Sequence, residues 1–489
     1  MQMKRFQILF KLFALMIILY FLLSTYYFFS AAATNAAAVP TTTESTAPDD
    51  ADYQIGGQAF EQKNYQQAMM YFQKAAAAGN FDAMNNIGDL YKNGYGVAQD
   101  YSQAMIWFQK AAIGGDGEAM FNIGQLYDQG LGIAQNRSKA IDWWQSAAAA
   151  GVVDAMYNLG QHYDQGLGVM QDFRQAMQWY KKAADGGNVL AMFALGNLYK
   201  QGHGVPKDPH QALFWWEKAA DGGSSLAMQN IAELYESGDG IQRDYGQAMI
   251  WLQKSAKLGN ADAMDGIGSL FFDGLGLHKD YKQAFAWYQK AAALGNAKAM
   301  YNVGILYTNG EGVIQNYQQA FAWYQKAAAL GNSDAMYNIG VAYDQGHGVH
   351  QDYQQAFVWY QKAAALGEPV AMFNIGVDYE YGEGAAQNYQ QAMDWFQKAA
   401  TCGNPNAMNN IGLMYATGRG LAQDYKQALY WFQNAAAAGN TEAMYNIGYC
   451  YYYGYGVNKD INKAVAWTAR AAHLGNEDAQ KFYAYLSAQ

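Results

Sequence analysis

Cysteine is nearly absent from this chain: Cys402 and Cys450 are the only two in 489 residues. They occupy different points of the repeat described below, with most of one unit between them. A disulfide needs Cα atoms within about 7 Å, whereas packed helices lie about 8–10 Å apart. Both are read as free thiols, so the fold stands without disulfides and the cysteines say little about compartment. Basic residues are also sparse, with 31 Lys and Arg against 41 Asp and Glu and a formal charge of -10. That balance argues against a nucleic-acid partner. No G-x-S-x-G, H-E-x-x-H or C-x-x-C occurs, which removes the common signatures of nucleophilic, zinc and dithiol chemistry.

Histidine offers little more. His347 and His350 share one loop with Asp344 and Asp352 nearby, the only grouping that suggests nitrogen and oxygen metal ligands. A glycine-bounded surface loop accepts polar residues at low cost, so this one is read as solvated. His162, His203, His210, His278 and His473 stand singly and read as exposed. The pair Gly94 and Gly96 and its copies are not a phosphate loop, because no strand precedes them and no Lys-Ser or Lys-Thr follows. No catalytic residue, metal or cofactor is expected, and the chain reads as a non-enzyme.

Insertions are missing too. Ala83-Met84 returns every 36 residues, as Met120, Met156, Met192, Met228, Met264, Met300, Met336, Met372, Met408 and Met444, each preceded by Ala. Such regularity marks a stack of near-identical units built to present a long surface, for which binding is the default function.

Residues 80–115 serve as the specimen. Ala83, Met84, Ile87, Gly88, Leu90 and Tyr91 recur at intervals of three and four, which predicts a helix with one buried side. Gly94 and Gly96 end it, and both slots are Gly in all eleven full units. Asp100 opens a second helix, and its slot is Asp or Asn in every full unit, as an N-cap requires. Ala104, Trp107, Phe108, Ala111 and Ala112 form the buried stripe of that helix. The Trp107 slot is Trp throughout and reads as a packing wedge rather than an aromatic cage. The Gly88 slot is Gly in all units except the one carrying Ala232. A lone hairpin of two short helices cannot bury both apolar faces, so stacking completes the core.

The ends depart from the pattern. Met1 to Lys11 is basic, and Leu12 to Phe29 carries no charge before an Ala-rich stretch. This is an export signal or, if uncleaved, a membrane anchor of near-minimal length. Basic residues ahead of the apolar run keep the N-terminus inside, so either reading places the repeats outside the cytoplasm, periplasmic, secreted or anchored in the inner membrane. The expected organisation is residues 1–30 as signal or anchor, 31–50 as a flexible Ala/Thr/Pro linker, and 51–79 as an atypical first repeat. Eleven 36-residue repeats follow over 80–475, and a capping helix over 476–489.

The block AMxNIGxLYxxGxGVxQDYxQAxxWYQKAAxxGN, running from about residue 80 to 475, resembles the Sel1-like repeat, a relative of the tetratricopeptide repeat. The first unit, GxAFEQKNYQQAMMYFQKA, is more similar to an ordinary tetratricopeptide unit. The resemblance implies an all-α, right-handed α/α solenoid (superhelix) of about twelve two-helix repeats with a C-terminal capping helix. It further implies a scaffold for protein complexes, of the kind exported bacterial members supply in envelope function, host-cell entry or traffic. One subfamily pairs two cysteines in each repeat, which this chain lacks.

First helices are implied to line the concave side. Positions 82, 85, 89, 92 and 93 share the side opposite the core stripe. The slot after Ala-Met is mostly aromatic, with Phe121, Tyr157, Phe193, Tyr301, Tyr337, Phe373 and Tyr445. Four residues further on, early units carry Asp89, Gln125, Gln161, Asn197, Glu233 and Ser269, and late units Ile305, Val341, Val377, Leu413 and Tyr449. With Tyr452, these aromatic and apolar residues are the candidate partner-binding face; inter-repeat packing is the rival role for the aromatics. The expected partner is a protein or peptide, with no nucleic acid, and membrane contact only through an uncleaved N-terminus. A glycan, as for a regulator of cell-wall metabolism or a weak hydrolase, is the less favoured alternative.

Overall fold

The computed structural model describes residues 48–487, and every regular element among them is an α-helix. The signal-or-anchor reading of residues 1–30 and most of the 31–50 linker lie outside the described residues. The chain divides into two compact units, one ending at Gly151 and the other beginning at Val152.

The first unit holds three hairpins: α1 (Pro48–Glu61) with α2 (Tyr65–Ala77), α3 (Phe81–Asn93) with α4 (Tyr101–Ile113), and α5 (Gly117–Gln129) with α6 (Arg137–Ala149). The second holds nine. They are α7 (Val153–Gln165) with α8 (Phe173–Asp185), α9 (Val189–Gln201) with α10 (Pro209–Asp221), and α11 (Ser225–Ser237) with α12 (Tyr245–Lys257). Next come α13 (Ala261–Asp273) with α14 (Tyr281–Ala293), α15 (Ala297–Asn309) with α16 (Tyr317–Ala329), and α17 (Ser333–Gln345) with α18 (Tyr353–Ala365). Last are α19 (Pro369–Tyr381) with α20 (Tyr389–Thr401), α21 (Pro405–Thr417) with α22 (Tyr425–Ala437), and α23 (Thr441–Tyr453) with α24 (Ile461–His473). A lone helix, α25 (Glu477–Ser487), caps the stack. The fold is thus an all-α helix-pair solenoid of twelve two-helix units plus a capping helix.

The hairpin of α17 and α18 shows how the sequence builds each unit. Asn332 Oδ1 accepts from the Ala335 amide at 2.7 Å and starts α17, while Asp352 Oδ1 accepts from Gln355 N at 3.0 Å and starts α18. Gly346 ends α17 at φ +71°, in the left-handed region that suits a residue without Cβ. Gly348 is required for a second reason: besides φ +78°, a Cβ there would lie 2.5 Å from the Tyr317 carbonyl carbon of the preceding second helix. Gln351 then pins the loop, its amide nitrogen donating to Asp344 O at 2.7 Å and to Tyr353 Oη at 3.0 Å.

Each core belongs to two neighbours. Phe357, Tyr360, Ala363 and Ala364 of α18 share one buried cluster with Ala371 and Ile375 of α19, the first helix of the next hairpin. A single hairpin would leave this surface in water, so the apolar pattern cannot lapse without exposing the unit beside it.

The tryptophan slot differs from its expected place. Trp107 is only half-buried, whereas Phe108 beside it is fully enclosed. Phe108, Trp144, Tyr180, Tyr360 and their counterparts fill the inside of their own hairpins against the conserved glycine; a Cβ on Gly88 would sit 2.4 Å from Phe108 Cε1. Trp107 instead packs against the core of the hairpin before it, and Trp395 against the α18–α19 core. The wedge is structural, but it acts between units. Its outer face is covered by a lysine one turn on, as with Lys362 Nζ 3.5 Å from the Trp359 ring centroid.

At the leading end, the loop from α1 to α2 is three residues against seven in the unit that follows. Helix α1 begins at Pro48, inside the stretch read as linker. At the other end Asn476 both caps α25, through Ala479 N at 2.7 Å, and donates to Glu442 at 2.9 Å. No helix among the described residues is long and apolar enough to cross a membrane.

Candidate functional site

The aromatic residues after Ala-Met are half-buried, and four of them rest one side of the ring on the filler of their own hairpin. Ring centroids lie 5.8 Å apart for Tyr157 and Tyr180, 5.9 Å for Tyr301 and Tyr324, 5.8 Å for Tyr337 and Tyr360, and 5.7 Å for Phe373 and Phe396. Phe193 packs on the core that begins at Ala212. In the first unit Phe121 is half-buried, and its carbonyl accepts from Trp144 Nε1 at 3.3 Å. Where this slot is polar, the next unit's asparagine ties it down: Asn302 Nδ2 donates to Asp265 Oδ1 at 2.9 Å, and Asn446 Nδ2 to Asn409 Oδ1 at 3.0 Å. The slot therefore has a packing role and an accessible edge at once.

The apolar slots divide. Ile305, Val341 and Val377 are half-buried against the core shared with the next hairpin. Leu413 and Tyr449 are more open, at 39% and 38% exposure. Tyr445, Tyr449 and Tyr452 gather with Tyr453 and Tyr455, and α25 covers part of the group. Phe482 lies 5.9 Å from Tyr445 and 5.4 Å from Tyr452, and Tyr452 Oη lies 3.3 Å from Tyr485 Oη. Elsewhere a cleft of about 540 Å³ in the second unit is lined by Arg174, Lys181, Phe214 and Trp215 of α8 and α10, together with Leu195 and Tyr199 of α9.

Two ionisable residues occupy a slot that sequence reading assigned to the core. The slot six residues after Met holds Leu90, Leu126, Leu198, Leu234, Leu270 and Leu306, but His162 in α7 and Asp378 in α19. His162, read as exposed, is buried, with Nδ1 2.8 Å from Leu167 O. Asp378 is 6% exposed, and its Oδ2 is buried without a hydrogen-bond partner. Burial, then Asp344 and Glu383, push its carboxyl up to about 8. Asp344 is raised as well, by burial first and then by Glu383. Tyr360, buried beside Asp344 and Asp378, is held protonated far above its ordinary range.

The remaining chemistry is quiet. His347 stacks on Tyr317 with centroids 4.3 Å apart. Among the described residues no group of three or more His, Cys, Asp and Glu is arranged to hold a metal ion. The Asp352 series acts as helix caps, as its spacing predicts. Both cysteines are free; Cys402 is exposed and Cys450 is buried, which pushes its thiol up to about 11.

Comparison with known proteins places this geometry. The family described as Sel1 repeat matches twelve consecutive segments, residues 53–80, 81–116 and onward in steps of 36 to 441–476. Its first segment takes in the atypical leading unit. A crystal structure of a protective antigen present in uropathogenic Escherichia coli strains, displaying an SLR fold, is 31% identical with a TM-score of 0.64, covering 86% of this chain and 90% of its own. A Sel1 repeat protein from Oxalobacter formigenes is 29% identical with a TM-score of 0.54, covering 69% and 96%. A search of curated proteins gives no match. The chain belongs to the Sel1 repeat family, as a repeat-based protein-interaction scaffold.

Proposed function

We propose that this protein is an exported scaffold or adaptor that holds a protein or peptide along the face of its first helices, in envelope function or host interaction. The observation that carries the reading is where variation is allowed. Core and cap slots repeat from unit to unit, whereas the slots one and five residues after Met change, and in the late units they become Ile305, Val341, Val377 and Leu413. Half-exposed apolar and aromatic edges on a rigid scaffold suit partner contact, because little side-chain entropy is lost on binding. The Escherichia coli relative, described as a protective antigen, supports a place outside the cytoplasm. So does the basic, then uncharged, N-terminal sequence.

The test compares the full chain with a first-helix triple variant, Ile305→Ser, Val341→Ser and Leu413→Ser. A control carries Ile250→Ser and Val358→Ser on exposed second-helix positions. Specific retention of a partner should fall at least tenfold in the triple variant and persist in the control, with helicity unchanged in both. Retention by the triple variant and loss by the control would place the partner on the other face.

A further inference from the structure

Three carboxylates are buried in the second unit, and two of them have a basic partner. Asp265 meets Lys298 Nζ at 3.2 Å, and Glu380 meets Arg419 Nη1 at 3.0 Å. Asp378 has none, although removing a carboxylate from water is costly unless a cation or several hydrogen bonds compensate. The repeat itself makes the omission plain. A residue eight after Met faces the loop residue 39 positions on, between the two glycines of the next unit. Lys200 with Asp239, at 2.8 Å, and Glu380 with Arg419 are two such pairs, each of opposite charge. The pair between them in register is Asp344 and Glu383, two acids, with Asp378 behind.

Among the described residues no lysine, arginine or histidine pairs with Asp344, Asp378 or Glu383. Glu383 is exposed and Asp344 half-exposed, so the rim of the cluster is open, and Asp378 forms its buried floor. Tyr360 lies buried beside both aspartates, and the half-buried Tyr337 packs on it at 5.8 Å near Asp344, so the aromatic edge open to the site is that of Tyr337. We propose that Asp344, Glu383 and Asp378 form the docking point for a basic side chain, the guanidinium or ammonium of an Arg or Lys of the bound partner. This rests on the peptide-binding reading above and sharpens it. Charge complementarity selects a cation, and the accessible edge of Tyr337 beside the acids suits a flat guanidinium. A metal ion is disfavoured because the acids are not disposed to surround one.

Occupancy is coupled to a proton. The groups facing Asp378 are Asp344 from α17, Tyr360 from α18, and Glu383 from the loop after α19; Arg419 is already engaged by Glu380. With its carboxyl near 8, Asp378 is mostly protonated at neutral pH, and a cation at the rim favours its ionised form. Binding should release a proton and tighten as pH rises from 6 to 8.5.

The probe is Nα-acetyl-arginine amide titrated into the full chain by calorimetry, with the neutral citrulline analogue as control and sodium and calcium as competitors. Expected is saturable binding of one equivalent, absent for citrulline and weakened at least tenfold by Asp344→Asn with Glu383→Gln. These rim substitutions preserve shape and so spare the fold. Asp378→Asn should abolish the pH dependence and the proton release. Absent saturation, equal binding of citrulline, indifference to the rim variant, or displacement by calcium at stoichiometric concentration would each overturn the proposal. If the probe fails while cross-links to a partner persist at Ile305 and Val341, the basic anchor is wrong and the first-helix face stands. If the probe binds but those cross-links are absent, the anchor stands and the wider face is wrong.

Discussion

Ala232 on α11 stands opposite Leu252 on α12, both buried in one core cluster, in the one full unit whose first helix lacks the usual glycine. In nine of the other ten full units that glycine faces a ring, as where a Cβ on Gly340 would lie 2.5 Å from Tyr360 Cε1; in the last, Gly448 faces Thr468. Backbone and filler are therefore matched as a pair. A small filler permits a methyl group, and a ring requires none.

Gly340→Ala should accordingly destabilise the α17–α18 hairpin by roughly 1–3 kcal/mol through overpacking. Ala232→Gly removes no contact that a ring would claim and should cost only about 1 kcal/mol of helix propensity. Combining Gly340→Ala with Tyr360→Leu copies the Ala232–Leu252 pair. The double variant should be more stable than the sum of the single effects predicts, by about 1 kcal/mol. Urea unfolding read alongside amide exchange in this hairpin measures it; strict additivity would show that the two positions are not coupled.

Capping offers a gain rather than a loss. Helix α7 opens at Val152, which makes no side-chain cap bond, where its neighbour α9 opens at Asn188 with a 2.8 Å bond to Ala191 N. Val152→Asn should add roughly 0.5–2 kcal/mol to local stability. Asp352→Ala should remove about as much, and Asp352→Asn should be close to neutral, since Asn316 performs the same task. Slower amide exchange at the start of α7 is the readout for the first, and an unchanged rate would count against the cap account.

Asp378 should make stability depend on pH in an unusual sense for a carboxylate. Its folded value, about 8, lies above the ordinary 3.8, so the folded state holds the extra proton between those limits. The stabilisation is fully present below pH about 4 and is lost as pH rises through 8. Asp378→Leu restores the residue type usual in this slot. It should stabilise the protein, with the advantage over wild type growing by a few kcal/mol, order of magnitude, between pH 5 and 8.5. Unfolding midpoints measured across that range decide it; an advantage that shrinks with pH would contradict the sign.

Much of the fold was legible because periodicity, caps and glycines are local signals repeated many times. The Ala83, Gly94 and Asp100 slots lead directly to a buried helix face, a left-handed C-cap and an N-cap. What failed was direction. Trp107 and Phe108 are adjacent, and helical spacing alone does not say which points into its own hairpin and which toward the preceding one. His162 taken singly reads as exposed, and only the column of leucines it interrupts marks its slot, and that of Asp378, as buried. The tyrosines at the end of α23 looked like an open surface because nothing in the repeat encodes where α25 docks. The meeting of Asp344 with Glu383 depends on a 39-residue offset between units, a relation invisible until neighbours are stacked.

The central claim is that partners are held by the variable face of the first helices. Photocrosslinking in the native cell tests it most directly, with p-benzoylphenylalanine placed singly at Ile305, Val341 and Leu413 and, on second helices, at Ile250, Val358 and Tyr430. The account predicts one common adduct from the three first-helix sites and none from the second-helix sites. The same adduct from the second-helix sites, with the first-helix sites silent, would contradict it.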